Sequence, residues 1–324
     1  MRYPEFIKEN ELIGISAPSA GVGKKLEAFS RSIKRLNERY QTLETASVRV
    51  NNIRSADAIT RANEFNSLLL NDEVKLIMSA AGGDFLYEIL PYLDFELINQ
   101  KPKWVIGASD PTSILYTITT KYDIATLYGV GAGSFDVEHK FLDVALEYLG
   151  GNLLKQESYD KCQSVDDFLS DNNTYSNDVL WVSSIGDLEI KGRLIGGCLE
   201  VIKDLMGTRY DATKEFINKY QNDGIVWYLD NFSMSAENMY RTLLQMRYAG
   251  YFEHTKLIIV GRVCFESSET GMTYAEALKL ALSDIPYIYG ADVGHVSPKM
   301  IMINGAIIDV KMSGNKAEVN FELK

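Results

Sequence analysis

The residues best suited to chemistry here are a serine, a histidine and a carboxylate, each standing at the end of an apolar run. Ser109 lies in WVIGASDPTSIL (104–115), where a buried strand stops in a tight turn and a helix restarts at Pro111. Two roles are open to it. It could cap the exposed amides of the new helix, as Asp110 also could. Alternatively, a sharp strand-to-helix turn could raise its hydroxyl while the helix N-terminus supplies positive potential and free amides for an oxyanion. The second arrangement is that of a nucleophile elbow, although the G-x-S-x-G pattern is absent. A serine nucleophile needs a base. Of the three histidines, His139 (FDVEHKFLDVAL) and His254 (GYFEHTKLI) sit among charges, as solvated surface residues do. His295 differs: it follows YGADVG at the end of an apolar strand and precedes Val-Ser-Pro. A basic imidazole needs a carboxylate to orient it and to stabilise the imidazolium. Asp230 closes the apolar run WYLD, where an unpaired carboxylate would be costly. Asp292 and Glu237 are weaker candidates, each placed where solvent would reach it. Gly82 and Gly83 of SAAGGDF could present amides to a developing oxyanion, or serve only to turn the chain.

These residues require a scaffold of strand ends. In the first half, short apolar runs alternate with amphipathic stretches such as KKLEAFSRSIKRLNERY and ADAITRANEFNSLLL. The runs are LIGISAP (12–18), ASVRV (46–50), VKLIMSAAGG (74–83), KWVIGAS (103–109) and IATLYG (124–129). Strands alternating with helices predict a parallel α/β sheet, in which ligands bind beyond the carboxyl ends of the strands. Every Gly/Ser-rich turn here follows a strand. The polar stretch 151–182 reads as a linker or surface excursion between an N-terminal α/β domain (1–150) and a smaller, strand-rich mixed domain (183–324). Strands are expected at 224–232, 256–263 and 285–294, helices near 235–249 and 273–283, and closing hairpins with turns at Asn304-Gly305 and Gly314-Asn315.

Composition narrows the classes. The chain has 324 residues, 46% of them apolar, enough for a substantial core. No stretch approaches the roughly 20 apolar residues of a membrane span, and the first residues lack a signal-peptide pattern. A cytoplasmic location is the expectation. A net charge of −11, with no compensating Lys/Arg block, argues against nucleic-acid or anionic-membrane partners. Three widely spaced cysteines, Cys162, Cys198 and Cys264, suggest buried free thiols rather than a disulfide framework or zinc site. GVGAGS (129–134) is loosely like a nucleotide loop but lacks both the G-x-G-x-x-G pattern and a Walker lysine.

Taken together, the landmarks GISAPSAG, SAAGGDFLYEILPYLDFELI, PKWVIGASDPTSIL, KGRLIGGCLEVIKDLMGT, WYLDNFSMSAENMYRTLLQM and GADVGHVSPKMIMINGA resemble the LD-carboxypeptidase family of serine peptidases, including its microcin C immunity branch. The resemblance spans nearly the whole chain. It implies a two-domain fold in which Ser109 is the nucleophile, His295 the general base and Asp230 the orienting acid. The amides of Asp110 and Gly83 would then be the oxyanion donors. It also implies a homodimer. This sequence departs from the family pattern at Asp230, where a Glu is usual, at Cys198 and Glu200, where Asn and a small polar residue are common, and in VGAGS after Tyr128-Gly129, where a Pro is common. Ala81 stands where murein-recycling members carry Arg, which places the chain nearer the microcin-immunity branch.

The expected activity is hydrolysis of an amide next to a free carboxylate, in a small murein-type peptide or a peptidyl-nucleotide, without metal or cofactor. Arg262 is a candidate for the substrate carboxylate, and Trp181 for stacking on an aryl group or nucleobase. The alternatives are a non-catalytic binding or immunity homologue impaired at Asp230, and a nucleotide-dependent α/β enzyme resting on GVGAGS.

Overall fold

A computed structural model of the chain describes residues 1–170 and 173–324. They form two compact units, Met1–Leu154 with Ile301–Asn304, and Lys155–Met300 with Gly305–Lys324.

The first unit is built on a six-stranded sheet. Its parallel members are β1 (Leu12–Ser16), β2 (Gln41–Glu44), β3 (Val74–Ser79), β4 (Trp104–Gly107) and β5 (Thr126–Tyr128). The short strand Met302–Asn304 adds antiparallel to β5, giving the order Met302–Asn304, β5, β4, β3, β1, β2. A parallel sheet covered on both faces needs apolar residues at successive positions, and WVIG meets that condition with all four residues buried. β2 is the exception and corrects the sequence expectation. The second strand is the polar QTLE, whereas 46–50 forms a turn closed by bonds from Val48 N–H to the Thr45 carbonyl and from Val50 N–H to the Ser47 carbonyl. As the edge strand, β2 is half covered and needs no apolar run.

The second unit carries an eight-stranded sheet centred on β6 (Leu188–Cys198), β7 (Ile225–Asp230), β8 (Thr255–Gly261) and β9 (Tyr287–Ala291), mutually parallel in that order. The hairpin β10 (Ile307–Ser313) and β11 (Lys316–Glu322) extends the sheet beyond β6 and turns at Gly314-Asn315. The other expected hairpin does not form. Met302–Asn304 pairs in the first unit, so Asn304-Gly305 joins two sheets. Nor is the polar stretch a linker. Gln156–Glu157 pairs with β11 and Val182–Ser183 with β9, so the stretch borders the second sheet at both edges. With it included, the second unit is not the smaller one. Part of the stretch, Asp171 and Asn172, lies outside the described residues. Among the described residues no helix is long and apolar enough to cross a membrane.

Candidate active site

In the first unit, Ser109 sits between β4 and the helix Thr112–Tyr122, in which Thr112 to Thr120 are all buried. With strand and helix both locked in the core, the connection must be abrupt. Ser109 takes it up with φ +66°, a left-handed conformation that a residue bearing a Cβ rarely adopts. The capping question is settled by backbone atoms. The Ser109 carbonyl accepts from Thr112 N–H (2.9 Å) and the Asp110 carbonyl from Ser113 N–H (3.0 Å), and among the described residues no side chain caps the start of this helix. The Ser109 amide donates to the Tyr128 hydroxyl (3.0 Å) at the end of β5.

The Asp110 carboxylate is engaged elsewhere. It accepts from Ser19 Oγ and from Leu86 N–H (2.8 Å), tying the turn to the loops after β1 and β3. Burial raises its pKa above the ordinary aspartate value, and these two hydrogen bonds pull against that rise. Gly82 stands against the Ser109 side chain. A Cβ there would meet Ser109 Cβ at 3.1 Å and Oγ at 3.4 Å. Gly83, at φ +142°, instead faces Ser19, whose Oγ would be 2.4 Å from an added Cβ. Among the described residues, neither the Asp110 nor the Gly83 amide donates to an acceptor.

In the second unit, Asp230 is the last residue of β7, wholly buried and in register with Cys198 of β6. Both of its carboxylate oxygens lie 3.0 Å from His295 Nδ1. This contact fixes the imidazole ring and leaves Nε2 as the nitrogen that can accept a proton. Space for the carboxylate comes from Gly294. At φ +114°, a Cβ added there would lie 2.3 Å from Asp230 Oδ1. Lys299 donates to the His295 carbonyl (3.4 Å); burial lowers its pKa, while the Asp230 charge works the other way. The Phe232 ring packs on the imidazole, with centroids 4.4 Å apart.

The remaining candidates have structural partners. Trp181 is fully buried and donates from Nε1 to Asp292 (3.0 Å), so it offers no face for stacking on a ligand. Arg262 is bonded to the same Asp292 and to the carbonyls of Val296 and Pro298 (3.0 and 2.6 Å), which occupies the guanidinium expected for a substrate carboxylate. Asp292 is therefore not solvated: it is a buried hub that also accepts from Tyr159 N–H (3.0 Å). Glu237 is taken up by Ser268 and Thr270. His139 caps the helix Lys140–Leu149 by accepting from Phe141 N–H (3.2 Å), a role its charged neighbours in sequence did not suggest. In GVGAGS, the Ala132 carbonyl accepts from Ser32, whose oxygen in turn accepts from Phe135 N–H (2.7 Å). Cys162, Cys198 and Cys264 are buried and outside any disulfide.

Comparison with known proteins agrees with this architecture. Residues 13–129 match the LD-carboxypeptidase N-terminal domain and residues 191–310 its C-terminal domain. A Vibrio cholerae protein whose name assigns it provisionally to the carboxypeptidases is 29% identical over 76% of this chain and 75% of its own length. The microcin C7 self-immunity protein MccF of Escherichia coli is 26% identical over 82% of this chain and 79% of its own. The solved structure of MccF in complex with aspartyl sulfamoyl adenosine superposes with a TM-score of 0.83 at 22% identity, covering all of both chains. Muramoyltetrapeptide carboxypeptidase from Oxalobacter formigenes gives 0.75 at 19% identity, over 96% of this chain and 98% of that one.

Proposed function

The chain belongs to the LD-carboxypeptidase family of peptidases, and from that premise we propose that it is a serine carboxypeptidase using Ser109, His295 and Asp230. Its substrates would be small amides whose scissile bond lies near a free carboxylate: a murein-type peptide, or a peptidyl-nucleotide, a class to which the aspartyl sulfamoyl adenosine held by MccF is chemically related. The observation that carries the proposal is the left-handed Ser109 at the junction of β4 and its helix. A capping serine has no need of that strained backbone, whereas a hydroxyl that must stand clear of the turn does.

In the proposed reaction Ser109 Oγ attacks the carbonyl carbon while His295 Nε2 takes the hydroxyl proton. The tetrahedral oxyanion rests on the amides of Asp110 and Gly83. Collapse breaks the C–N bond, and His295 returns the proton to the departing amine. Water then repeats the sequence on the acyl-serine and restores Ser109. Asp230 holds Nδ1 and stabilises the imidazolium at each transfer. The protein is proposed to work in the cytoplasm, as a homodimer.

The test is burst and steady-state release from a murein tetrapeptide and from an aspartyl-adenylate mimic, together with fluorophosphonate labelling. Wild type is expected to turn over at least one substrate and to label at Ser109. Ser109→Ala is expected to lose the label and roughly 10⁶-fold in kcat. If neither substrate is cut and Ser109 stays unlabelled, the hydrolase reading fails and a non-catalytic binding protein takes its place.

A further inference from the structure

Glu200 lies in the first turn of the short helix Leu199–Leu205, directly after β6. One of its carboxylate oxygens, Oε1, accepts from three successive amides of the loop leaving β7: Phe232 (3.0 Å), Ser233 (2.9 Å) and Met234 (3.2 Å). Three consecutive N–H groups converging on one oxygen form a backbone nest, an arrangement selective for an anion. The other oxygen, Oε2, accepts from Cys198 Sγ (3.3 Å). Burial holds that thiol well above its ordinary pKa, with the Asp230 and Glu200 charges adding to the effect, so it stays a donor. Glu200 is thus anchored to the strand that flanks Asp230, and it holds the loop that follows Asp230.

That loop carries Phe232, whose ring lies on His295. Behind Phe232 stands Phe265, edge-on at 5.1 Å, and the Phe265 amide donates to the Phe232 carbonyl (2.9 Å). Asn231 adds a second restraint at the other end of the loop, its Oδ1 accepting from Met234 N–H (2.9 Å). Asp230 fixes His295 at one nitrogen; the ring of Phe232 limits its tilt from the face.

We propose that Glu200 is a positioning residue: by clamping the amides of residues 232–234 it holds Phe232 against His295 and keeps the imidazole aligned for proton transfer. The role deepens the serine-peptidase reading and rests on it for its kinetic consequence, though its structural consequence is independent of turnover. A side chain displaced by about 1 Å at a proton-transferring group can cost about a hundredfold in rate.

The experiment uses the full-length chain with Glu200→Gln, Glu200→Ala and Phe232→Leu. The first readout is the deshielded proton resonance of the His295–Asp230 hydrogen bond, assigned by its disappearance in His295→Ala. It is expected to stay sharp in Glu200→Gln, which keeps an acceptor oxygen for the nest, and to broaden or shift in Glu200→Ala and Phe232→Leu. The second readout is kinetic. Glu200→Ala should lose about ten- to a hundredfold in kcat with KM within about twofold, and Glu200→Gln should recover most of it. An unchanged resonance and unchanged kcat in folded Glu200→Ala would overturn the proposal. A change confined to KM would overturn it too, because it would make Glu200 a substrate contact. If Glu200→Ala does not fold, Phe232→Leu decides: wild-type resonance and kcat there reject the clamp. Should wild type cleave neither substrate, the peptidase reading falls while the resonance still tests the clamp.

Discussion

The two clusters that bear the proposed chemistry are built by different means. In the first unit the serine is presented by backbone: a left-handed turn between a buried strand and a buried helix, with a glycine beside the hydroxyl and amides left open. In the second unit the histidine is presented by side chains: a buried carboxylate at 3.0 Å, an aromatic face, and a glutamate clamp behind it. The contrast follows from what each group must do. A hydroxyl nucleophile needs exposure and a fixed origin, which backbone geometry supplies. An imidazole must hold one tautomer through repeated protonation, which requires a partner for its second nitrogen. Substitutions should therefore damage the two clusters in different currencies, the first in conformational energy and the second in rate.

The largest effect that separates them is expected at Asp230. Asp230→Asn keeps the volume but removes the charge and can hold the wrong tautomer, so kcat should fall about 10⁴-fold. Labelling of Ser109 should slow in parallel while thermal stability changes little. Asp230→Glu puts the residue usual in the family at this position, but the space beside the carboxylate is already limited by Gly294. The extra methylene must crowd either Gly294 or the imidazole, and overpacking of this kind costs about 1–3 kcal/mol. A Glu variant as stable as wild type and more active would show instead that the shorter side chain is a handicap. Steady-state kinetics and thermal melts of both variants decide the matter.

Much of this contrast was legible in the sequence, and unevenly so. Asp230 ends β7, and Ser109 and His295 follow the ends of β4 and β9 by two and four residues; the neighbourhood of a strand end is what period and composition reveal best. The order of the landmark motifs then fixed the family. β2 escapes the signal of period and composition because an edge strand has little to bury, and QTLE carries no apolar run. Trp181, in a polar stretch, and Arg262, at the end of an apolar run, show no local partner in sequence; Asp292, which engages both, lies 111 and 30 residues away. Glu200 stood out only as a departure from the family pattern. That its carboxylate reaches amides more than 30 residues further on depends on β6 and β7 lying side by side, which no local window contains.

A smaller effect tests the backbone side of the comparison. A non-glycine residue held left-handed costs about 1–3 kcal/mol, and glycine removes most of that while costing about 0.5–1 kcal/mol in unfolded-state entropy. Ser109→Gly should therefore abolish acylation yet be more stable than Ser109→Ala by about 1 kcal/mol, read from urea denaturation of the two variants. Equal stabilities would mean that the turn is not strained and that its left-handed form serves packing alone.

The smallest expected effect concerns the residue after the serine. Asp110 is buried, and burial raises its carboxyl above the ordinary aspartate value near 4, with Ser19 and Leu86 pulling the other way. A raised native pKa means that the folded chain binds the proton more tightly than the unfolded chain does. The associated stability is complete below the unfolded value and is lost as pH climbs through the native one. Asp110→Asn has nothing to titrate. Wild type should therefore lose stability relative to Asp110→Asn as pH rises from about 4, and the difference should level off once the native carboxyl is fully ionised. Paired denaturant titrations across that range measure it. A difference that moved in wild type's favour with rising pH would mean that the hydrogen bonds from Ser19 and Leu86 outweigh burial. In that case the turn under Ser109, like the cluster around His295, would be held by charge rather than by backbone alone.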